Sequence, residues 1–363
     1  MNLPPKSTGV KPTAEKAPGE KSKASEERLD ALREEALRTG AVTGARVTPA
    51  GSPLPQTAAE TGYYGNPVLK KPVWKWQVPV YFLAGGVAGA SAAIAFVAHV
   101  LGRDPALVRA ALWIALGGAI ISPPLLIFDL GRPSRFWNML RVFKLQSPMS
   151  VGAWTLMAFS FAVGTAVACE EIVLRGYSSS LLLGLGWAGE AGAMLTGLVL
   201  LSYTSVLLGA TAIPVWSENR KVLPVHFVAS ALGASAGILE LAGFLIPGTN
   251  GMSLVAAGVE TCVAVYIAMR GRAVDAALRA SRVVWMIRVA VGLTGPAPLV
   301  LRIFFAHWPP ARPIASVCFI LGALLSRYGW MAAGHASSRD SKTLFELQRK
   351  GSTAGKTKAS AKS

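Results

Sequence analysis

Cysteine is almost absent from this chain, and its few copies are scattered. Cys169, Cys262 and Cys318 stand far apart in 363 residues, and no C-x-x-C occurs. Such a chain is not expected to ligate its own iron–sulfur cluster or a cysteine-rich zinc site. Charge is scarce too, at 15% of residues against 52% hydrophobic, which excludes an ordinary soluble domain. No P-loop or zinc motif occurs, and no nucleophile elbow or dinucleotide fingerprint is recognised, which argues against a self-contained soluble enzyme. Histidine numbers four. A transmembrane cytochrome b needs facing pairs at one depth. His99 and His307 share one side and His226 and His335 the other, but His307 lies in an HWPP loop and His335 at the exit of the last span, so haem is not expected.

What the chain has is long apolar runs. Residues 1–62 are rich in Pro, Ala, Lys, Glu, Ser and Thr and read as a disordered extension. A helical island is expected over 25–38, with Ser25 as N-cap and Gly40 closing it. No apolar run precedes Val78, so no signal peptide is expected. Residues 63–77 form a Pro- and Trp-rich interfacial approach, with Trp74, Trp76 and Tyr81 suited to an aromatic belt. About eight segments then reach bilayer-crossing length, near 78–101, 106–128, 149–169, 192–216, 222–247, 251–270, 283–306 and 312–335. The fold class is therefore an all-α integral membrane protein whose eight helices would form two four-helix bundles over residues 78–335, with a basic tail at 336–363. Pro247 to Asn250 is expected to close a tight hairpin between spans five and six. Gly85 with Gly89, and Gly233 with Gly237, have the small-xxx-small spacing that lets helices approach closely.

The net charge of +17 does not point to nucleic acid, because the basic residues flank apolar spans. One face receives the N-terminal approach, the loop after Asp129, Arg220 with Lys221, Arg270, Arg272, Arg279, Arg282 and the tail. The other receives Arg103, Arg175 and Arg312. The positive-inside rule then puts both termini in the cytoplasm. The stretch from Asp129 to Trp154, DLGRPSRFWNMLRVFKLQSPMSVGAW, mixes Arg132, Arg135, Arg141 and Lys144 with Phe136, Trp137 and Phe143. Between two spans this reads as a basic, aromatic interfacial loop, and Pro133 and Pro148 shape its ends.

That stretch, together with YTSVLLGATAIPVW (Tyr203–Trp216), the tail SRYGWMAAGHASSRD and the approach WKWQVPVYFLAGGVAGAS, resembles the NrfD or polysulfide reductase membrane-subunit family over about residues 63–350. The resemblance implies an eight-helix, quinone-reactive anchor of a prokaryotic inner-membrane complex, without haem or iron–sulfur of its own. It implies electron exchange with a docked ferredoxin-like 4Fe-4S subunit, and a molybdopterin or multihaem catalytic subunit beyond. Two departures stand out. Lys75 and Gln77 occupy the start of the first span, where members tend to carry histidine or another polar group. Gly209-Ala210 stands where some carry an acidic residue.

Each candidate residue has a plainer reading beside the functional one. Tyr203 matches a family tyrosine turned towards quinone; alternatively it bonds a neighbouring helix. Asp129 can accept a quinol proton, or cap its helix and pair with Arg132. Trp74, Gln77, Ser150 and Trp154 can line the pocket mouth or pack at the interface. Arg132, Arg135, Arg141, Lys144 and Arg339 can orient an acidic iron–sulfur partner or anchor lipid phosphate. Glu240 and Glu260, expected at similar depth on neighbouring helices, are candidate proton acceptors. With Arg288, Arg302 and Arg327 they make either a proton path or a buried ion-pair network. Two competing functions remain open: a transporter or proton channel, which calls for discontinuous helices and repeats, and a purely structural anchor.

Overall fold

The computed structural model describes residue 31 and residues 74–130, 132–141, 143–144, 146–270 and 281–338. The N-terminal extension other than Ala31, residues 63–73 of the approach, Arg339 and the tail beyond it lie outside the described residues; Ala31, inside the expected island, is helical.

Eight helical spans are long and apolar enough to cross a bilayer. They are α1 (Gln77–Val100), α2 (Pro105–Asp129), α4 (Pro148–Leu174), α5 (Ser180–Gly209), α7 (Val222–Leu241), α8 (Pro247–Arg270), the pair α9 (Ser281–Thr294) with α10 (Pro296–Phe304), and α11 (Ala311–Ser337). Two short helices, α3 (Phe136–Arg141) and α6 (Pro214–Glu218), lie between spans at the end where α1 begins. The chain is an all-α integral membrane protein.

Local sequence sets the helix ends. Asp104 accepts the N–H of Ala106 ahead of Pro105, and Ser147 and Ser179 cap α4 and α5 in the same way. At the far end, three helices stop on the same device. Gly102, Gly176 and Gly243 take φ of +60°, +92° and +103°, a region that only glycine enters cheaply. In each case the following N–H reaches back five residues: Arg103 to Ala98, Tyr177 to Ile172, Phe244 to Leu239. These are Schellman closures, and they satisfy the last carbonyls of α1, α4 and α7.

Packing divides the spans into two groups of four. Helices α1, α2, α4 and α5 form one ring; α7, α8, α9–α10 and α11 form the other, and α1, α5, α7 and α11 meet between them. The most apolar stretch of α1 and of α7 is 67% buried, against 22% in α8 and in the seventh span, so α8 and α9–α10 form a lipid-facing wall. The expected small-residue contacts are present. Gly89 lies against the backbone of Gly197, Gly237 against that of Ser316, and Gly233 beneath the ring of Phe319.

Several boundaries differ from expectation. The third span continues to Leu174 and the fourth begins at Ser180, so residues 180–191, expected in a loop, are helical; alternating Gly and Leu weaken the apolar signal there. The turn between α7 and α8 is residues 242–246, and Pro247 to Asn250 is the first turn of α8. Tyr81 is buried, not interfacial. Two motif strings are also present. Gly184-Leu185-Gly186-Trp187-Ala188-Gly189 has the letters of a dinucleotide fingerprint, and Gly233-Ala234-Ser235-Ala236-Gly237 those of an elbow. Both lie inside helices, where Gly189 lets α5 approach α4 at Ala166 and the Ser235 hydroxyl bonds Ser91 at 2.7 Å. Neither has the strand–turn–helix setting its chemistry requires.

Candidate functional site

The loop after α2 is built, as its prolines suggested. Pro133 opens a 3-10 turn and Pro148 occupies the first turn of α4. The Ser147 hydroxyl accepts the N–H of Ser150, and the Ser150 hydroxyl accepts the N–H of Lys144 at 3.1 Å. Ser150 therefore fastens the loop to the start of α4. Phe143 packs edge-on against Trp154, with ring centres 5.9 Å apart. Arg132, Arg141 and Lys144 are exposed. The side chain of Arg135 lies outside the described residues. Asp129 reaches across to α1, where it accepts the N–H of Lys75 at 3.1 Å. That bond ties the end of α2 to the entry of α1.

Beneath the loop lies a cluster of aromatic and amide groups. Gln77 starts α1 and Tyr81 follows one turn in, on the same helix face. Tyr203, six residues from the end of α5, is buried and lies close enough to Tyr81 for the two to interact electrostatically. Its ring covers the Cα of Gly152, where any side chain would collide with it. Beside these, Trp74 stacks on Trp216 at 5.5 Å, and the Trp216 indole donates to the carbonyl of Trp330 at 2.8 Å. Among the buried polar atoms without a partner in the described residues are Oε1 of Gln77, an acceptor, and Nε1 of Trp154, a donor. The Tyr203 hydroxyl makes no hydrogen bond among the described residues. Orphaned buried groups of both signs cost stability unless something else satisfies them. Of the expected pocket residues, Gln77 and Trp154 present such groups. Tyr81 was missed, because at a span entry it was indistinguishable from a belt residue.

The ionisable groups inside the spans form separate clusters. Glu240, at the end of α7, receives Arg302 through two hydrogen bonds of 2.9 and 2.6 Å; both side chains are wholly buried. Arg312 adds a bond at 2.7 Å and Ser316 another at 2.6 Å. Arg312, expected in an outer loop, belongs to this network. Glu260 does not share that depth. It sits with His226, fourteen residues or about 21 Å along α7 from Glu240. His226 Nδ1 lies 2.7 Å from Glu260 Oε2 and its Nε2 lies 2.6 Å from the Ser326 hydroxyl, so both ring nitrogens are engaged. Thr294 donates to the same Oε2 at 3.2 Å. Arg327 is buried one layer away, bonded to the Ser230 hydroxyl and the Phe227 carbonyl, with its guanidinium 4.6 Å above the Phe227 ring. The seventh span breaks at Gly295, directly after Thr294. Two pairs were not expected because their residues lay in the misplaced loop: His99 with Glu190 at 2.8 Å, and Arg109 with Glu171, which also accepts from Trp113.

Comparison with known proteins agrees with this architecture. The family model described as polysulfide reductase, of the NrfD type, matches residues 60–339, well over half of the chain. The C subunit of polysulfide reductase from Wolinella succinogenes is 31% identical over 186 residues, covering 46% of this protein and 56% of the relative. Protein NrfD of Escherichia coli K12 is 27% identical over 188 residues, covering 47% and 59%. The matched region thus spans a little over half the length of each of these curated relatives.

Proposed function

The chain belongs to the NrfD-type polysulfide reductase family, and from that premise we propose that it is the membrane-anchoring, quinone-interacting electron-transfer subunit of a multi-subunit oxidoreductase. It exchanges electrons between a membrane quinol or quinone and a ferredoxin-like 4Fe-4S subunit, which docks on the basic loop and relays them to a molybdopterin or multihaem catalytic subunit. One observation carries the reading: a basic loop packs through Phe143 on Trp154, and Trp154 and Gln77 bury a donor and an acceptor without partners among the described residues. A quinone carbonyl accepts from the Trp154 indole; a quinol hydroxyl donates to the Gln77 amide oxygen. Tyr203 offers a ring to pack on the head group and a hydroxyl of either polarity. The residues present therefore fit the ligand. Exposed Arg132, Arg141 and Lys144 suit an acidic partner, whose approach their field would steer. By the positive-inside rule this face is the cytoplasmic side of the inner membrane, with both termini on it.

The test is a mild-detergent pull-down of the tagged protein, with optical spectra and quinone extraction on the eluate. A co-purifying small subunit with broad iron–sulfur absorbance, plus stoichiometric quinone, is the expected result. A lone, colourless and quinone-free protein overturns the reading. A second reading, proton or ion conduction, is favoured by the break at Gly295 between two buried charge clusters, since discontinuous spans are what a transporter requires. Proton flux in vesicles containing the purified protein alone separates the two.

A further inference from the structure

The second bundle has a polar-backed cavity of its own, apart from the aromatic cluster. A cavity of about 520 Å³ lies between α8 and α9, backed by His226, Ser326 and Trp330. Its walls are apolar, among them Val263, Ile267, Ile287 and Val291. Exposed Ala268 and Arg288 stand at its rim. The neighbouring outward residues, Tyr266, Met269, Trp285 and Val289, are exposed on the lipid-facing wall. A molecule dissolved in the bilayer thus reaches this opening without crossing water.

The back of the cavity has one unmet requirement. Glu260 is 3% exposed and lines the cavity; its Oε2 is taken by His226 and Thr294, yet its Oε1 is buried with no partner among the described residues. A buried carboxylate oxygen without a donor is costly. With Glu260 ionised, Nδ1–H of His226 donates to Oε2, and Nε2 accepts from Ser326, so the imidazole is held in one tautomer and cannot turn to satisfy Oε1. What the site lacks is therefore a donor delivered from the cavity. Apolar walls and entry through the bilayer call for a neutral, largely apolar molecule with a hydroxyl.

We propose that this cavity is a second binding site for a membrane-soluble hydroquinone, entered laterally between α8 and α9, with Glu260 Oε1 accepting a hydrogen bond from a ring hydroxyl. The inference rests on the reading that the chain handles membrane quinols, and it goes beyond it by adding a site in the other bundle. A phospholipid is the competing occupant, with its phosphate at Arg288 and an acyl chain within. It would leave Glu260 Oε1 without a donor, which is why the hydroquinone is favoured.

Two substitutions test the site. Glu260→Gln keeps an oxygen for His226 and turns the cavity-facing atom from acceptor to donor. Gly292→Phe fills the cavity, since a side chain at Gly292 meets nothing within 4 Å. The probe is a decyl hydroquinone with a diazirine on its tail, photolysed with the full-length protein in its native membrane, followed by peptide mapping. Adducts are expected on α8 and α9 as well as in the first bundle. Glu260→Gln should lower hydroquinone labelling of α8 and α9 by about tenfold, as for a lost hydrogen bond to a buried charge, while labelling by the oxidised quinone persists. Gly292→Phe should abolish labelling by both forms there and leave the first bundle unchanged. Adducts confined to the first bundle overturn the second site alone. So does labelling of α8 and α9 that neither substitution alters, or a phospholipid found by native mass spectrometry in the wild type and displaced by Gly292→Phe. No adduct anywhere overturns the quinone reading as a whole.

Discussion

The two four-helix bundles solve the same problem with different materials. In the first, helices α1, α2, α4 and α5 are drawn together by backbone contact at small residues, such as Gly89 on Gly197 and Gly189 on Ala166, and its ion pairs lie towards the rim. In the second, Glu240 and Arg302 are wholly buried, and Glu260 and His226 nearly so. Lipid supplies no hydrophobic drive between helices, so association rests on packing or on polar contacts. The first bundle relies mainly on such packing, and its buried carboxylate, Glu190, is paired with the half-exposed His99. The second adds to similar contacts, such as Gly237 on Ser316, ionisable groups buried at two depths.

Removing one charge from the second bundle is expected to have the greatest consequence. Arg302→Met leaves Glu240 buried with only the partly exposed Arg312 as a cation. Breaking such a pair costs about 3–5 kcal/mol, which should collapse the monodisperse peak in detergent size-exclusion. The double variant Glu240→Met with Arg302→Met should recover much of the loss, because the carboxylate is then no longer stranded. A double variant no better than the single would mean that Arg302 acts through shape rather than charge.

In the first bundle the equivalent weak point is steric. Gly152→Ala drives a Cβ into the Tyr203 ring, and overpacking of this kind costs about 1–3 kcal/mol. The expected outcome is a lower melting temperature together with weaker quinone binding, because the ring must move. Gly233→Ala, beneath Phe319 in the second bundle, is the matched control. It should cost a similar amount in stability while leaving quinone binding under the loop unchanged. Tyr203→Phe is milder. It keeps the ring and removes only the hydroxyl, so the melting temperature should hold and quinone affinity should fall by no more than about tenfold.

How much of this was legible in the sequence differs between the bundles for the same physical reason. Eight spans, the shaped loop and the close glycine contacts follow from hydropathy, proline and small-residue spacing, which are local signals. Gly184 and Gly186, set among the leucines from Leu181 to Leu185, blur the start of α5, and with it the pairs formed by Glu171 and Glu190. The cluster of Gln77, Tyr81, Trp154 and Tyr203 is readable in part, since all four lie in motif-bearing stretches but Tyr81 reads there as a belt residue. The partners of Glu260 were not readable at all. His226 is 34 residues from it in sequence, and Ser326 is 100 residues from His226; only the crossing of three helices brings them together. A turn at Pro247 to Asn250 puts Glu240 and Glu260 at one depth. With the turn at 242–246, Glu240 falls at the end of its helix and Glu260 three to four turns inside the next.

The smallest expected effect concerns the surface of the first bundle, and it tests the docking face without disturbing either interior. Arg132, Arg141 and Lys144 are exposed on a loop held by Ser147, Ser150 and the Phe143–Trp154 contact, none of which uses their charges. Replacing all three by Glu should therefore leave the melting temperature and bound quinone unchanged. It should slow association with the iron–sulfur subunit, because like charges replace attraction across an encounter surface. The effect should fade as salt is raised from 10 mM to 1 M, where the screening length falls from about 30 Å to about 3 Å. If these residues served lipid phosphate instead, the same variant would associate normally with the partner in detergent and lose affinity only for anionic vesicles. Measuring both on one preparation assigns the loop to a protein or to the bilayer.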